Sequence, residues 1–516
     1  MEEPRMAPCG RFRRGMVKDG EDTMSELKIG WSEVSITPDK KASLEGQFYE
    51  RISQYTETEI TATAMAIESE GAQLIICSCD MEGIGYNLVC GVREKLKAVE
   101  GIDPEMVIIH ATHSHTSIKY TSKRRVSLDG SLNLLSKYLG EETAVKPQKR
   151  DDVMEGDEGL YFLIDRIAQA VKQAWENRRP AAYANAFGRA AVGMNRRVCY
   201  SDGSAKMWGD TNTATFTELE GGNDSGMELL FVYDEKKALT GIVANVACPA
   251  QVLEQRSFFS ADYWGKVKIL LRERFGKDLF VLGLCSAAGD QCPRDLVRWV
   301  DPETPIDDPN VIRTNVILRK ADPSMYDIKG TWKIGKRIAR EIIDVYDEIE
   351  DGEIRTEAKL VHENIILEVP VRRVTDKEYN EAKEKIDAFV KTVEKITFAE
   401  NAKMHVYAGT IARYEMQEKY NLYPAEIHIA RFGDIAFASN SFELFLNYGN
   451  QIRARSKAQQ TFLIQLACGA DGYLPTLKAE QGSHYSAYVS SGVTGHEGGD
   501  LLVRKTVEQI NKMFDR

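Results

Sequence analysis

Three of the eight histidines in this 516-residue sequence crowd into Ile109-His110-Ala111-Thr112-His113-Ser114-His115-Thr116. His113 and His115 stand two apart, so on an extended backbone their rings point the same way, and neutral imidazole nitrogen is a common zinc ligand. The same pattern also fits loop or core histidines satisfied by hydrogen bonds, and spacing alone leaves both readings standing. Two thiols occupy comparable places. Cys248 precedes Pro249 where an apolar run, 242–246, ends, and reads either as a ligand or as buried packing. Cys292 lies in Gly289-Asp290-Gln291-Cys292-Pro293-Arg294, a small-residue turn after the apolar run 280–284. Small residues permit close backbone approach and a turn can present amide donors, so Cys292 is either a nucleophile or a thiol packed inertly beneath the turn. Glu443 is a lone carboxylate between Phe442 and Phe445 at an expected helix start, and Tyr473 and Tyr485 follow. Each of these also has a plain structural reading, in the helix dipole for Glu443 and in packing for the tyrosines. Asp262 reads as the cap of a helix beginning near Tyr263.

The elements that must position these groups are short apolar runs at 62–67, 74–79, 107–109, 229–233, 241–246 and 280–284, alternating with helix-like stretches at 87–99 and 161–176. This is an α/β pattern, and in such folds ligands bind where strands end. Helical spacing returns at 333–349 and 376–393, the latter leading towards 411–420, and strands at 426–431, 435–438 and 462–467. The charge-rich stretch 123–158 interrupts the pattern and is expected to be a surface insertion or lid. No repeat or low-complexity linker divides the chain, so residues 27–516 are expected to form a single unit with inserted helices, preceded by a disordered extension over 1–26.

Composition narrows the classes. With 43% hydrophobic and 28% charged residues the sequence is that of an ordinary globular protein. A net charge of −11 and the lack of clustered basic and aromatic residues argue against a nucleic-acid partner. No apolar run reaches the roughly 18–20 residues that span a bilayer, and the opening residues lack the apolar centre of a signal peptide, so stable membrane insertion is not expected. Nine scattered cysteines without paired spacing fit a reducing, cytoplasmic setting, with Cys77 and Cys79 as packed strand residues.

Taken in order, the elements resemble the catalytic domain of the neutral (non-lysosomal) ceramidases, zinc-dependent amidases, with this chain a divergent bacterial-type member. Gly30-Trp31-Ser32-Glu33-Val34-Ser35-Ile36-Thr37-Pro38 resembles the family's opening strand and Ser78-Cys79-Asp80 its S-x-D segment. Thr112-His113-Ser114-His115 is similar to T-H-T-H, Asn195-Arg196-Arg197 to N-R-S, and Gly289-Asp290-Gln291-Cys292-Pro293 to G-D-x-S-P, with Glu443, Tyr473 and Tyr485 following in the family's order.

The resemblance implies a mixed-sheet α/β domain without the family's C-terminal β-domain. It implies Zn2+ bound by His113, Glu443 and Tyr473, with Cys248 where the family has a second histidine. It further implies substrate-facing roles for Arg196, His115 and Tyr485, and a catalytic turn carrying Asp290 and Cys292, the latter in the place of a serine. Thr116-Ser117-Ile118-Lys119 stands where the family has glycine-proline. The leading expectation is a zinc-dependent hydrolase of a small-molecule amide or ester other than ceramide, using water or Cys292 as nucleophile. The alternatives are a binding protein that has lost turnover and a non-hydrolytic metalloenzyme.

Overall fold

The structure is a computed structural model that describes residues 27–47, 49–128, 150–298, 327–392 and 398–515. The expected extension over 1–26 and most of the expected lid, 129–149, lie outside the described residues.

Eight strands form a mixed sheet in the order Phe280–Cys285, Leu239–Val246, Gly226–Asp234, Arg179–Arg189, Lys28–Ser35, Thr61–Ser69, Ala72–Cys79, Val107–Ala111. Only the two outermost pairs are parallel. Four more strands, Leu360–Pro370, Leu422–Phe432, Ile435–Ser439 and Gln460–Ile464, make a second sheet in that order. The two sheets pack face to face. Leu74, Ile76 and Ile108 of the first share one apolar core with Phe432, Phe437 and Phe462 of the second.

Because side chains alternate along a strand, the neighbours of Leu74 and Ile76 point the other way. Ile75, Cys77 and Cys79 pack on Leu88 and Val92 of the helix Tyr86–Leu96 and on Leu163 and Ile167 of the helix Gly156–Glu176. At the opposite end of the sheet, Ile242 and Ala244 meet Val267 and Leu271 of Asp262–Phe275 and Ile334 and Ile338 of Asp327–Asp347. The outer face of the second sheet is covered by Leu446–Arg455 and His496–Phe514. The order of layers is helices, sheet, sheet, helices, and strands covered on both faces read as unbroken apolar runs.

The parallel edge pairs matter for function. In register, Cys79 lies beside Ala111 and Val246 beside Cys285, and hydrogen bonds draw the ends of these two pairs together: the Cys285 amide donates to His110 Nε2 and the Ala250 amide to Thr112 O, both at 3.1 Å, so the four loops that follow converge. They carry Glu82, His113 with His115, Cys248 with Glu254, and Asp290 with Cys292. An isolated bridge from His110 to Ala467 ties this region to the loop that follows the last strand of the second sheet.

Candidate metal centre

The His113 loop is fixed at several points. Its amides at Thr112 and Ser114 donate to the carbonyls of Cys79 and Met81, at 2.9 and 2.8 Å. The Ser114 hydroxyl donates to the Ser260 carbonyl at 2.7 Å. His113 adopts a left-handed φ of 70°. Its Nδ1 donates to the backbone carbonyl of Glu82 at 2.7 Å, which leaves Nε2 as a bare lone pair. That atom stands 3.2 Å from Nε2 of His115 and 3.6 Å from Oε2 of Glu443. Burial depresses the pKa of both rings, so both are neutral, the form that binds a metal.

Glu443 arrives from the second sheet. It belongs to a two-residue parallel bridge in which Glu443 pairs with Tyr473 and Leu444 with Leu474. The following helix, expected to start at Glu443, starts at Leu446. Burial pushes the Glu443 carboxyl up to about 7, against the opposing charge of Arg196 and the neighbouring Tyr473 hydroxyl.

Arg196 follows the short strand Met194–Asn195 and is buried. Its amide donates to the Asp290 carbonyl at 2.9 Å, and its NH2 group donates to Gly289 O at 3.1 Å and to the Tyr473 hydroxyl at 3.3 Å. The Tyr473 hydroxyl in turn donates to that of Tyr485 at 3.4 Å. Burial raises both phenols, Tyr485 to about 12, so they remain proton donors at neutral pH. The structure therefore gathers His113, His115, Glu443, Tyr473, Tyr485 and Arg196 at one place.

Three expected residues sit differently. Asp290 faces the scaffold: its carboxylate accepts from Asn195 Nδ2 and from the amide of Leu446, both at 2.8 Å. It fixes the Arg196 loop and the helix behind Glu443. The Cys292 thiol donates to the Arg294 carbonyl at 3.1 Å, and burial pushes it up to about 12 despite the nearby Arg196 and Arg294 charges. The protein thus holds Cys292 as a thiol. Cys248 packs within the apolar cluster of Val246, Ala250 and Tyr263, its sulfur directed to the carbonyls of Val192 and Pro249 at 3.7 and 3.6 Å. Its pKa is raised well above that of a free thiol by burial.

Sequence reasoning missed two carboxylates. Glu82 follows the strand Ala72–Cys79 and offers an oxygen that, with one ring nitrogen each of His113 and His115, forms a group whose donor atoms all lie within 4.8 Å of one another. Burial pushes its carboxyl up to about 7 while His113 opposes the shift. The signal was present, since Glu82 leaves the strand that pairs in parallel with the histidine strand. Glu254 reaches within 4.0 Å of His115 Nδ1 and pairs with Arg294 at 3.4 Å.

His110 and Asp262 are structural. His110 Nδ1 donates to Gln465 O at 2.8 Å and its Nε2 accepts from the Cys285 amide at 3.1 Å. Asp262 accepts from the amides of Tyr263 and Leu253, at 2.7 and 2.8 Å. A second group with ligand-like donors, Glu426, His428 and Cys468, already contains a cation, for Arg93 NH2 lies 2.5, 3.5 and 3.8 Å from these three side chains.

No family model and no curated protein matches the chain. Solved structures do. The neutral ceramidase from Pseudomonas aeruginosa superposes with a TM-score of 0.61 at 15% identity, over 95% of this chain and 75% of that one. The fold is ceramidase-like. A ceramidase complexed with C2 gives a TM-score of 0.62 at 13% identity, over 95% of this chain and 76% of that one. Among the described residues, no helix of this ceramidase-like fold is long and apolar enough to cross a membrane.

Proposed function

We propose that the chain is a metal-dependent hydrolase that cleaves an amide or ester bond of a small molecule, with Zn2+ as the natural ion. The reading is carried by one observation: His113 Nε2, a bare lone pair, and a Glu443 oxygen meet at 3.6 Å, with Tyr473 paired beside Glu443 in the backbone bridge and Arg196 donating to the Tyr473 hydroxyl. The donor types and their neutral or acidic character fit zinc. A divalent ion held by His113, Glu443 and Tyr473 would supply a Lewis acid for a carbonyl oxygen and a lowered pKa for water.

The protein's own groups supply the rest. Arg196 is pinned by Gly289 and Tyr473, so its charge is in place before substrate arrives, and with the Tyr485 hydroxyl it would donate to the oxygen on which negative charge develops. Burial excludes water from competing for those donors. We assign water as the nucleophile rather than Cys292, because the thiol keeps its proton on a carbonyl and, among the described residues, no base is hydrogen-bonded to it.

The test is turnover of a panel of N-acyl amines and esters by the metal-loaded protein and by Glu443→Gln. Hydrolysis lost in the variant is expected. A protein that binds its ion stoichiometrically yet turns over nothing would overturn the assignment in favour of a binding role.

A further inference from the structure

The resemblance leaves one ligand place to Cys248, but the Cys248 sulfur faces the carbonyls of Val192 and Pro249 in an apolar cluster and belongs to no group of converging donors among the described residues. The geometry points to His115 instead. We propose that His115 is a metal ligand, so that the ion sits in a sulfur-free nest of His113, His115 and Glu82 with Glu443 facing it. This inference rests on the reading of the site as a metal centre.

The Nε2 atoms of His113 and His115 face each other at 3.2 Å beside the Glu82 carboxylate. His113 has its proton on Nδ1, held by the Glu82 carbonyl, and so presents a lone pair to His115 Nε2 at 3.2 Å. A neutral His115 has one proton to place. On Nε2, it would donate to His113, but then Nδ1 would be a buried lone pair facing two acceptors, the Gly46 carbonyl and the Glu254 carboxylate at 4.0 Å, neither of which has a proton to give it. On Nδ1, the proton faces Glu254, but two Nε2 lone pairs then confront each other. A cation between the rings removes the conflict: both Nε2 atoms bind it, while Nδ1–H of His113 points to a carbonyl and that of His115 to a carboxylate. Those are the usual outer partners of metal-binding histidines.

Distances agree. Two nitrogens at about 2.0–2.1 Å from a tetrahedral ion stand roughly 3.3–3.4 Å apart, close to the separation of the two rings. The Glu82 oxygen completes a two-histidine, one-carboxylate group within 4.8 Å. The His115 ring is also held in place. A Cβ on Gly46 would come 2.5 Å from His115 Cγ, so only glycine lets the loop lie against that ring, and Arg51 grips the His115 carbonyl at 2.6 Å.

The experiment uses the full chain, stripped with chelator and reloaded with Zn2+ or Co2+. Metal content is measured by elemental analysis and the Co2+ form by absorption spectroscopy. Wild type and Cys248→Ala are expected to bind one ion with the same Co2+ spectrum and no thiolate-to-metal band. His115→Ala and Glu82→Gln are expected to lose the ion at concentrations that saturate wild type. Replacing an outer partner alone weakens binding about 10–100-fold, and loss of a direct ligand should exceed that. His115→Gln, with circular dichroism of the apo forms, guards against a variant that fails to fold.

A thiolate band abolished by Cys248→Ala, or wild-type affinity in folded His115→Ala and His115→Gln, overturns this ligand set and leaves the proposed hydrolase standing. An ion bound through His115 without turnover leaves the ligand set and removes the hydrolase. No stoichiometric ion in wild type removes both.

Discussion

Glu443 and Tyr473 stand side by side as partners in a parallel bridge of only two residue pairs, and the Tyr473 hydroxyl accepts from Arg196 at 3.3 Å. The backbone therefore fixes the spacing of an acid and a phenol whose side chains meet Arg196 and His113. Tyr473→Phe keeps the bridge and the ring packing while removing the hydroxyl. Its kcat/KM should fall by about 10²–10³-fold with an unchanged melting temperature. A loss of folding in parallel with activity would show that the hydroxyl is structural.

Cys292 gives the opposite expectation. Its thiol donates to Arg294 O and is pushed up to about 12. Cys292→Ser should keep kcat/KM within a few-fold, and iodoacetamide should not inactivate the wild-type protein. Inactivation that substrate protects against would restore the thiol to the reaction.

Gly46 combines a φ of 92° with a Cβ position that collides with the His115 ring. Gly46→Ala should cost roughly 1–2 kcal/mol from the left-handed backbone alone. It should also weaken metal affinity by displacing His115. Calorimetric titration of the apo protein reads the second effect separately from the first.

His110 predicts a pH dependence of stability. Burial lowers its pKa from 6.5 to about 4, and a proton on Nε2 would break the bond from the Cys285 amide. Between those two pH values the unfolded chain takes up a proton that the folded chain refuses. The His110 contribution is thus full above pH 6.5 and is lost as the pH falls towards 4, on the order of 3 kcal/mol in all. Denaturant unfolding of wild type and His110→Gln across this range should differ in slope by about one proton, the variant being flatter. Equal slopes would refute it.

The strands and helices were legible to the extent that burial was two-sided or one face was apolar. The runs at 74–79, 107–109 and 280–284 became strands with one or two more residues at an end, and 376–393 became the helix Asp376–Thr392. Two long strands were not seen. Arg179–Arg189 is built on alanines without β-branched residues, and Leu360–Pro370 carries polar residues over a half-exposed edge. Both owe their conformation to the partners they pair with, which local pattern does not record. At the site, the ordered motifs led to His113, Arg196, Glu443, Tyr473 and Tyr485, which do converge. Motif matching does not record side-chain surroundings: Cys248 stands at the expected strand end with its sulfur against the Val192 and Pro249 carbonyls, and Glu82, with no motif of its own, lies beside His113 and His115.

The site borrows from loops behind both sheets, Glu82, His113 and His115 following strands of the first and Glu443 following a strand of the second, and the sheets meet across an apolar seam that includes Ile76, Phe437 and Phe462. Slippage along that seam would shift these donors relative to one another. Trimming an aromatic such as Phe437, buried in that seam, would therefore first loosen the proposed ion site, making the oily interior the frame that keeps its donors together.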